Sequence, residues 1–441
     1  MITQWTHSQL SQSIGALMVL ALLLIIAIPF TGLAIIWPAL LLWCALILSW
    51  KNLAAGTKKQ AQVLFGVGVV GMGWAYSQGE TVSIVQALSS NSYILAMLMA
   101  VSFLSLIAGN DTQEAEEDSP RGRSALKQTL VGLHLFGAVI NISIVFIMGD
   151  RFASAKGQPG CCTGEIEKGQ LKVLSRGFCA AAFWSPFFAA LAVALTYAPG
   201  ADLLTLMQAG IPLAILSLTI TYFELRPKAE QFTGYPMRMK NLILPAFLAC
   251  AVIAGRVFIP ELSVLQLISL LAPLTAIAVL AWQKQPLVKK VQQHSQNRLA
   301  RMGNELALFL TAGTMAAGLN SLFMLYGHLL PIPALTPIVI SLLLLAMLVL
   351  SLIGVHPVIS IATVSGILLP TEPPVDLLAM VFLASWAIGT ACSPMSGMSL
   401  SLRGRYFISA RQILRSNLAY GVVMWLAASI SLWLYNPISG I

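Results

Sequence analysis

AAFWSPFFAALAVAL (residues 181–195) and AIGTACSPMSGMSLSL (residues 387–402) decide the fold. Each is an apolar run broken by one Ser-Pro pair, Ser185-Pro186 in the first and Ser393-Pro394 in the second. Proline has no amide proton and disfavours helical geometry in the residue before it. Lipid offers no water to repair that loss. Such backbone is tolerated at membrane depth only where protein buries it or where it lines a cavity. The two stretches therefore predict two re-entrant hairpins, with a single proline-kinked helix as the plainer alternative at each.

Working outward, a second matched pair lies upstream. VGLHLFGAVINIS (131–143) carries His134, and IGVHPVISIATVS (353–365) carries His356. Aligned on histidine, they share Gly, His and the final Ser. Beyond each break runs one more apolar segment, 203–222 and 414–434. The order of His-bearing helix, broken segment and helix thus occurs twice, and internal repeats set the architecture of a chain. In a membrane chain, matched interrupted segments in the two halves point to a transporter's binding site.

The chain has 441 residues, 58% hydrophobic and 9% charged, and a mean hydropathy of +0.83. Soluble domains carry about 25% charged residues. Many runs here reach the roughly 20 apolar residues that cross a bilayer core. The predicted fold is an all-α polytopic membrane protein of about eleven spans plus two re-entrant hairpins arranged as inverted repeats. Membrane lipid is its solvent. The net charge of +9 does not imply nucleic acid, because the Lys and Arg cluster in short loops and report orientation. The loops at Lys51, Arg121, Arg226, Lys284 and Arg403 fall on one side, which is cytoplasmic by that rule. Six cysteines show neither zinc nor disulfide spacing, and only Cys161-Cys162 are adjacent.

Four blocks follow along the chain: N-terminal spans 1–90 as scaffold, a first repeat with hairpin 91–222, connecting spans and a basic loop 223–302, and a second repeat with hairpin 303–441. Within them, 129–148 reads as the His134 span. Residues 51–60 read as a basic loop and 110–127 and 149–170 as polar loops. Residues 338–369 read as tilted or broken at His356-Pro357, after a loop marked by Pro331 and Pro333.

A broken helix exposes amides at one half and carbonyls at the other, the first attracting anions and the second coordinating Na⁺. Ser185, Pro186, Ser393, Pro394, Ser396, Gly397 and Thr390 are the candidate solute-binding residues; the glycine admits close backbone approach. Packing of small hydroxyl residues between helices explains the same positions without a ligand. His134 and His356, with Asn141 and Thr363 seven residues beyond each and hence two turns along the same face, are the candidates for ion or proton coupling. An interhelical hydrogen bond is the plainer reading of each histidine. HExxH, GxSxG, Walker and CxxC patterns are absent, so no enzyme activity, metal site or cofactor is expected beyond Na⁺ as a coupling ion.

The layout resembles the ion transporter superfamily of arsenite permeases and divalent anion:sodium symporters, over roughly 91–435. Family members carry Ser-Asn-Thr or comparable signatures at the hairpin tips, where this chain has Trp184-Ser185-Pro186 and Cys392-Ser393-Pro394. The resemblance implies elevator-like movement of a hairpin domain, within a homodimer. The expected function is secondary active transport of a small anionic solute coupled to Na⁺ or H⁺, in a bacterial inner membrane. The alternatives are a non-transporting subunit of an envelope complex and, last, an intramembrane enzyme.

Overall fold

A computed structural model of the protein describes residues 7–108, 120–154, 166–235, 243–329 and 335–438. Cys161-Cys162, Pro331, Pro333 and much of the two polar stretches 110–127 and 149–170 lie outside them. The described residues form helices and turns, with one isolated β-bridge between Arg121 and Thr233. Seven helices are long and apolar enough to cross a membrane, and four shorter apolar helices accompany them. The chain is an all-α polytopic membrane protein.

Two compact units are drawn from interleaved segments, cutting across the four consecutive blocks of the sequence. The first comprises Met1–Gly109, Leu248–Pro331 and Ala362–Glu372. At its centre the Ala55–Ser77 helix packs on the Gly303–Tyr326 helix, backbone against backbone. A Cβ added at Gly68 would lie 2.5 Å from the Thr314 carbonyl oxygen, and one at Gly318 would lie 2.4 Å from that of Gly68. Small residues permit this approach, and in lipid it is dispersion across such contacts that holds helices together. The Trp74 indole N–H donates to the Tyr326 hydroxyl at 2.8 Å, fixing the far end of the pair. The Ala55–Ser77 helix also absorbs half of the basic stretch 51–60, which is therefore not wholly loop. Lys58 Nζ reaches back to the Lys51 carbonyl at 3.0 Å.

The second unit comprises Asn110–Phe247, Ile332–Ile361 and Pro373–Ile441, and holds both Ser-Pro pairs. Its elements come in two series of the same order. Gly122–Ile140 breaks and resumes as Ser143–Ser154; Lys168–Lys172 continues through a π turn (Val173–Gly177) and a 3₁₀ turn (Ala180–Phe183), then turns into Ala189–Tyr197; Leu203–Leu225 follows. In the later series Pro337–Leu352 breaks before Pro357, Val375–Cys392 turns into Gly397–Tyr406, and Ala410–Ile438 follows. The break before Pro357 falls where the sequence places it. The first break does not: 129–148 is no continuous span, because the helix ends at Ile140. Nothing in VINISIVF marks that stop in advance, since Asn141 is flanked by β-branched apolar residues that suit a membrane helix.

Candidate functional site

Both Ser-Pro pairs are true interruptions, and their hydrogen bonds match one for one. The Ser185 amide donates to the Ala181 carbonyl at 2.9 Å and the Ser393 amide to that of Gly389 at 2.8 Å, closing the incoming helix. Each hydroxyl accepts from the amide two residues on, Phe187 in one and Met395 in the other, both at 3.2 Å. Each serine carbonyl accepts the amide three residues on, from Phe188 at 3.2 Å and Ser396 at 3.3 Å. Each hydroxyl also donates to a carbonyl of the preceding broken helix, Ala138 in the first series and Ser351 in the second. Serine suits this place because one oxygen both donates and accepts, and proline suits the next because no amide is needed there. The helix is interrupted at both positions, and Val375–Tyr406 still runs as one apolar stretch of 32 residues.

The pinned carbonyls set the register between the two series. Three residues beyond Ala138 the chain breaks at Asn141, with φ +63°; three residues beyond Ser351 it breaks at Gly354, with φ +103°. Asn141 therefore corresponds to Gly354, and the two histidines do not correspond to each other. The shared Gly-x-His spacing, which aligns them in sequence, does not reflect equivalent positions. His134 lies before the first break, in the Gly122–Ile140 helix, and His356 lies after the second. Asn141 does not continue the His134 face by two turns either, because the helix between them stops. Thr363 lies within the Pro357–Leu368 helix, whereas His356 precedes it.

His134 is buried, with both ring nitrogens engaged. The Trp184 indole N–H donates to its Nε2 at 3.1 Å, and Nδ1 lies 3.2 Å from the Gly177 carbonyl. An indole can only donate, so Nε2 is unprotonated and the Nδ1–H donates to Gly177. His134 thus ties the Gly122–Ile140 helix to the segment that leads into the Ser185-Pro186 interruption. His356 differs: its Nδ1 accepts the Val358 amide at 3.3 Å and its ring meets Trp386 edge-on at 5.4 Å between centroids.

The two turns differ in what covers them. Ser185, Pro186, Phe187 and Phe188 are all buried, and Phe188 packs on Phe178 with centroids 5.0 Å apart. The later turn is open only at its tip: Met395 is 49% exposed and a Cβ at Gly397 would meet nothing within 4 Å, while Ser393 and Ser396 are buried. Ser396 caps the following helix by accepting the Ser399 amide at 3.2 Å, and its hydroxyl donates to the Thr390 carbonyl at 2.9 Å. The Arg403 guanidinium reaches back to the Pro394 carbonyl at 3.2 Å. The two interrupted segments touch each other where Cys179 of the first meets Met398 of the second, with sulfurs 3.9 Å apart.

Sequence reading missed a buried charged network beside the first hairpin. Arg176, on the π turn, is 1% exposed. It donates from Nε to Asn417 Oδ1 at 2.9 Å, from one terminal nitrogen to Glu224 and from the other to the Ser416 carbonyl. Its guanidinium carbon stands 4.5 Å from the Tyr420 ring centroid. Lys172 holds the second oxygen of Glu224. The signal was present: an arginine inside an apolar run, with a glutamate and an asparagine in the flanking segments. A second ion pair joins Asp150 to Arg405 through two bonds of 2.6 Å, with the Tyr406 hydroxyl donating to Asp150 at 2.8 Å. It ties the Ser143–Ser154 helix to the Gly397–Tyr406 helix.

A shallow crevice in this unit is lined by Phe183, Gly210, Leu213, Met380 and other apolar residues, with Ser431. Neither Ser-Pro turn lines it. No protein-family model matches the chain, and no curated protein sequence matches it. Among solved structures it is similar to the Alcanivorax borkumensis YdaH transporter, at 14% identity and a TM-score of 0.49, over 78% of this chain and 85% of that one.

Proposed function

We propose that this chain is a secondary active transporter for a small anionic solute, coupled to Na⁺ or H⁺. The observation that carries the reading is the duplicated turn. Two Ser-Pro interruptions with the same four hydrogen bonds, each pinned to a broken helix, place irregular backbone inside one compact unit twice over. A structural kink has no need of a copy. Paired discontinuous helices with their half-helix ends inside the protein are what a solute and a coupling ion use for binding. We take the two series as inverted repeats and the hairpin-bearing unit as the part that moves, in the elevator manner. The cytoplasmic side of a bacterial inner membrane and a homodimer complete the proposal.

The solute contacts belong to the tip of the second turn, around Pro394, Gly397 and Thr390, where Met395 and Gly397 are exposed; Ser393 and Ser396 shape that tip with hydroxyls engaged inside the protein. The first turn, around Ser185 and Pro186, is packed shut and supports from behind. His134 is fixed by two partners, and proton coupling through it would require the Trp184 bond to break; this favours Na⁺ over H⁺.

The test is flux in proteoliposomes carrying the purified chain, with an imposed Na⁺ or pH gradient and a panel of carboxylates and inorganic oxyanions. Gradient-driven uptake of one class supports the reading. Absence of flux together with a stably co-purifying protein partner would instead favour a subunit of a larger membrane complex.

A further inference from the structure

We infer that the helix Leu287–Asn297, with the turn leading into it, docks the headgroups of anionic phospholipid through Lys284, Lys289 and Lys290. This surface belongs to the first unit, which holds neither Ser-Pro turn, and its role stands whatever the chain carries.

The span Val264–Trp282 ends at an indole that is 83% exposed, and the next helix starts five residues on. That helix is about 16 Å long and carries Lys289, Lys290 and three glutamines. It is too short and too polar to cross a bilayer. A brief link from the end of a span therefore leaves it in the interface. Its second half is clamped to the first unit. His294 and Ser295 are buried, with His294 Nε2 lying 2.8 Å from the Ser102 hydroxyl and the ring 4.6 Å from that of Phe103. A Cβ added at Gly15 would lie 2.5 Å from Ser295 Oγ. The first half has no such cover: Val288 is 80% exposed, and Lys284 and Lys289 are exposed. Water suits Trp282 and Val288 poorly, and hydrocarbon suits lysine poorly. The headgroup layer suits both, because lysine stems lie along apolar surface while their ammonium groups reach phosphate.

Charge complementarity selects the partner. From 262 to 304 the chain carries five Lys and Arg and no Asp or Glu. Glu305 follows and lies within electrostatic reach of Arg298, so the three lysines are the uncompensated part. None of the three has an ion-pair partner among the described residues. The Ala54 amide donates to Asn304 Oδ1 at 3.1 Å, which brings the basic stretch 51–59 to the same end of the unit. By the positive-inside rule that end faces the cytoplasmic leaflet, where anionic lipid is found.

Orientation explains positive charge in this loop but not its place at Lys284. The Lys284 amide donates to the Ala281 carbonyl and the Gln285 amide to that of Leu280, both at 3.0 Å, and Lys284 has φ +53°. This is a Schellman ending, whose left-handed position glycine usually fills. The chain keeps an ammonium there at a conformational cost. The helix dipole also favours a cation at this end, and Lys284→Gly separates the two causes.

The experiment uses the full chain purified in detergent, with phosphatidylglycerol added and phosphatidylcholine of the same acyl chains as reference. Thermal unfolding and native mass spectrometry read binding. The expected result is stabilisation by phosphatidylglycerol alone, weakening as salt is raised. Lys284→Gly should match or exceed the parent's unfolding midpoint without lipid, yet bind phosphatidylglycerol less well. Apparent affinity should fall about fivefold in each of Lys284→Gly, Lys289→Gln and Lys290→Gln, and about a hundredfold in the three together. Lys228→Gln, which removes the same charge from the second unit, should leave it unchanged. Should the triple variant fail to fold, the single variants decide. Equal response to the two lipids, or undiminished affinity in the lysine variants, would overturn the inference. So would an equal loss in Lys228→Gln, which would reduce the effect to net charge. Stabilisation by glycerol phosphate as strong as by the lipid would also overturn it, assigning the lysines to a free anion. A lower lipid-free midpoint with unchanged affinity in Lys284→Gly would return that lysine to the helix dipole and remove it from the site.

Discussion

Ser185→Ala and Ser393→Ala each delete one hydroxyl that both donates and accepts. Matching wiring implies comparable cost, about 1–3 kcal/mol apiece, as an amide and a buried carbonyl lose their shared partner. Matched drops in the unfolding midpoint of the two variants would confirm the equivalence; a drop in only one would deny it. Arg176→Met is expected to cost more, about 3–5 kcal/mol, because Glu224, Asn417 and the Ser416 carbonyl all lose a donor at once. Denaturant unfolding in detergent measures it, and a loss under 1 kcal/mol would mean the network is incidental. In the first unit, His294 lies buried on a helix outside the spans, 2.8 Å from the Ser102 hydroxyl. Burial first, and then the charge of Arg298, lowers its pKa from 6.5 to about 4. A lowered histidine pKa means the folded state resists protonation. Its contribution is whole above pH 6.5 and is lost as pH falls toward 4, by at most about 3 kcal/mol. A His294→Gln variant should flatten that part of the stability–pH curve, and an unchanged slope would assign the acid sensitivity elsewhere. None of these residue roles could be read from the sequence beyond the residue type. Ser185 and Ser393 were visible as candidates, but only coordinates reveal that their hydroxyls are spent on the protein itself.

At the scale of elements, the sequence revealed interruptions where proline causes them and concealed those that backbone geometry causes. Ser-Pro at 185–186 and 393–394 and His-Pro at 356–357 each lie at a real break, whereas Pro212 and Pro273 sit inside continuous helices, so proline alone does not decide one. The break at Asn141 has no such signal. Its helix stops because the chain enters a positive-φ conformation that a non-glycine residue rarely takes. Alignment on the histidines gives a different repeat register from alignment on the breaks, because three matches of residue type (Gly, His and Ser) outweigh a correspondence between Asn and Gly. The glycine-rich helix Ala55–Ser77 shows the same limit. Its composition was plain, yet not which glycines face a neighbour. Gly68 meets backbone, whereas Gly66 and Gly73 have nothing within 4 Å of an added Cβ. Gly68→Ala should therefore destabilise by about 1–3 kcal/mol through overpacking, while Gly66→Ala should be neutral or stabilising by up to about 1 kcal/mol through helix propensity. Thermal unfolding of the two single variants compares them directly, and equal effects would contradict the packing described.

For the whole molecule, composition sufficed for the class, because 9% charge over 441 residues cannot clothe a soluble surface. Composition could not foretell that the two compact units interleave along the chain, since contacts between distant segments leave no local trace. The central claim is that a twice-used Ser-Pro turn, pinned to a broken helix, builds a site for a moving anion. The most direct measurement is uptake of the panel anions into proteoliposomes under an imposed Na⁺ gradient. The account predicts uptake that depends on the gradient and that one chemical class of anion competes for. Folded, correctly inserted chain that moves no anion under either a Na⁺ or a pH gradient would contradict it.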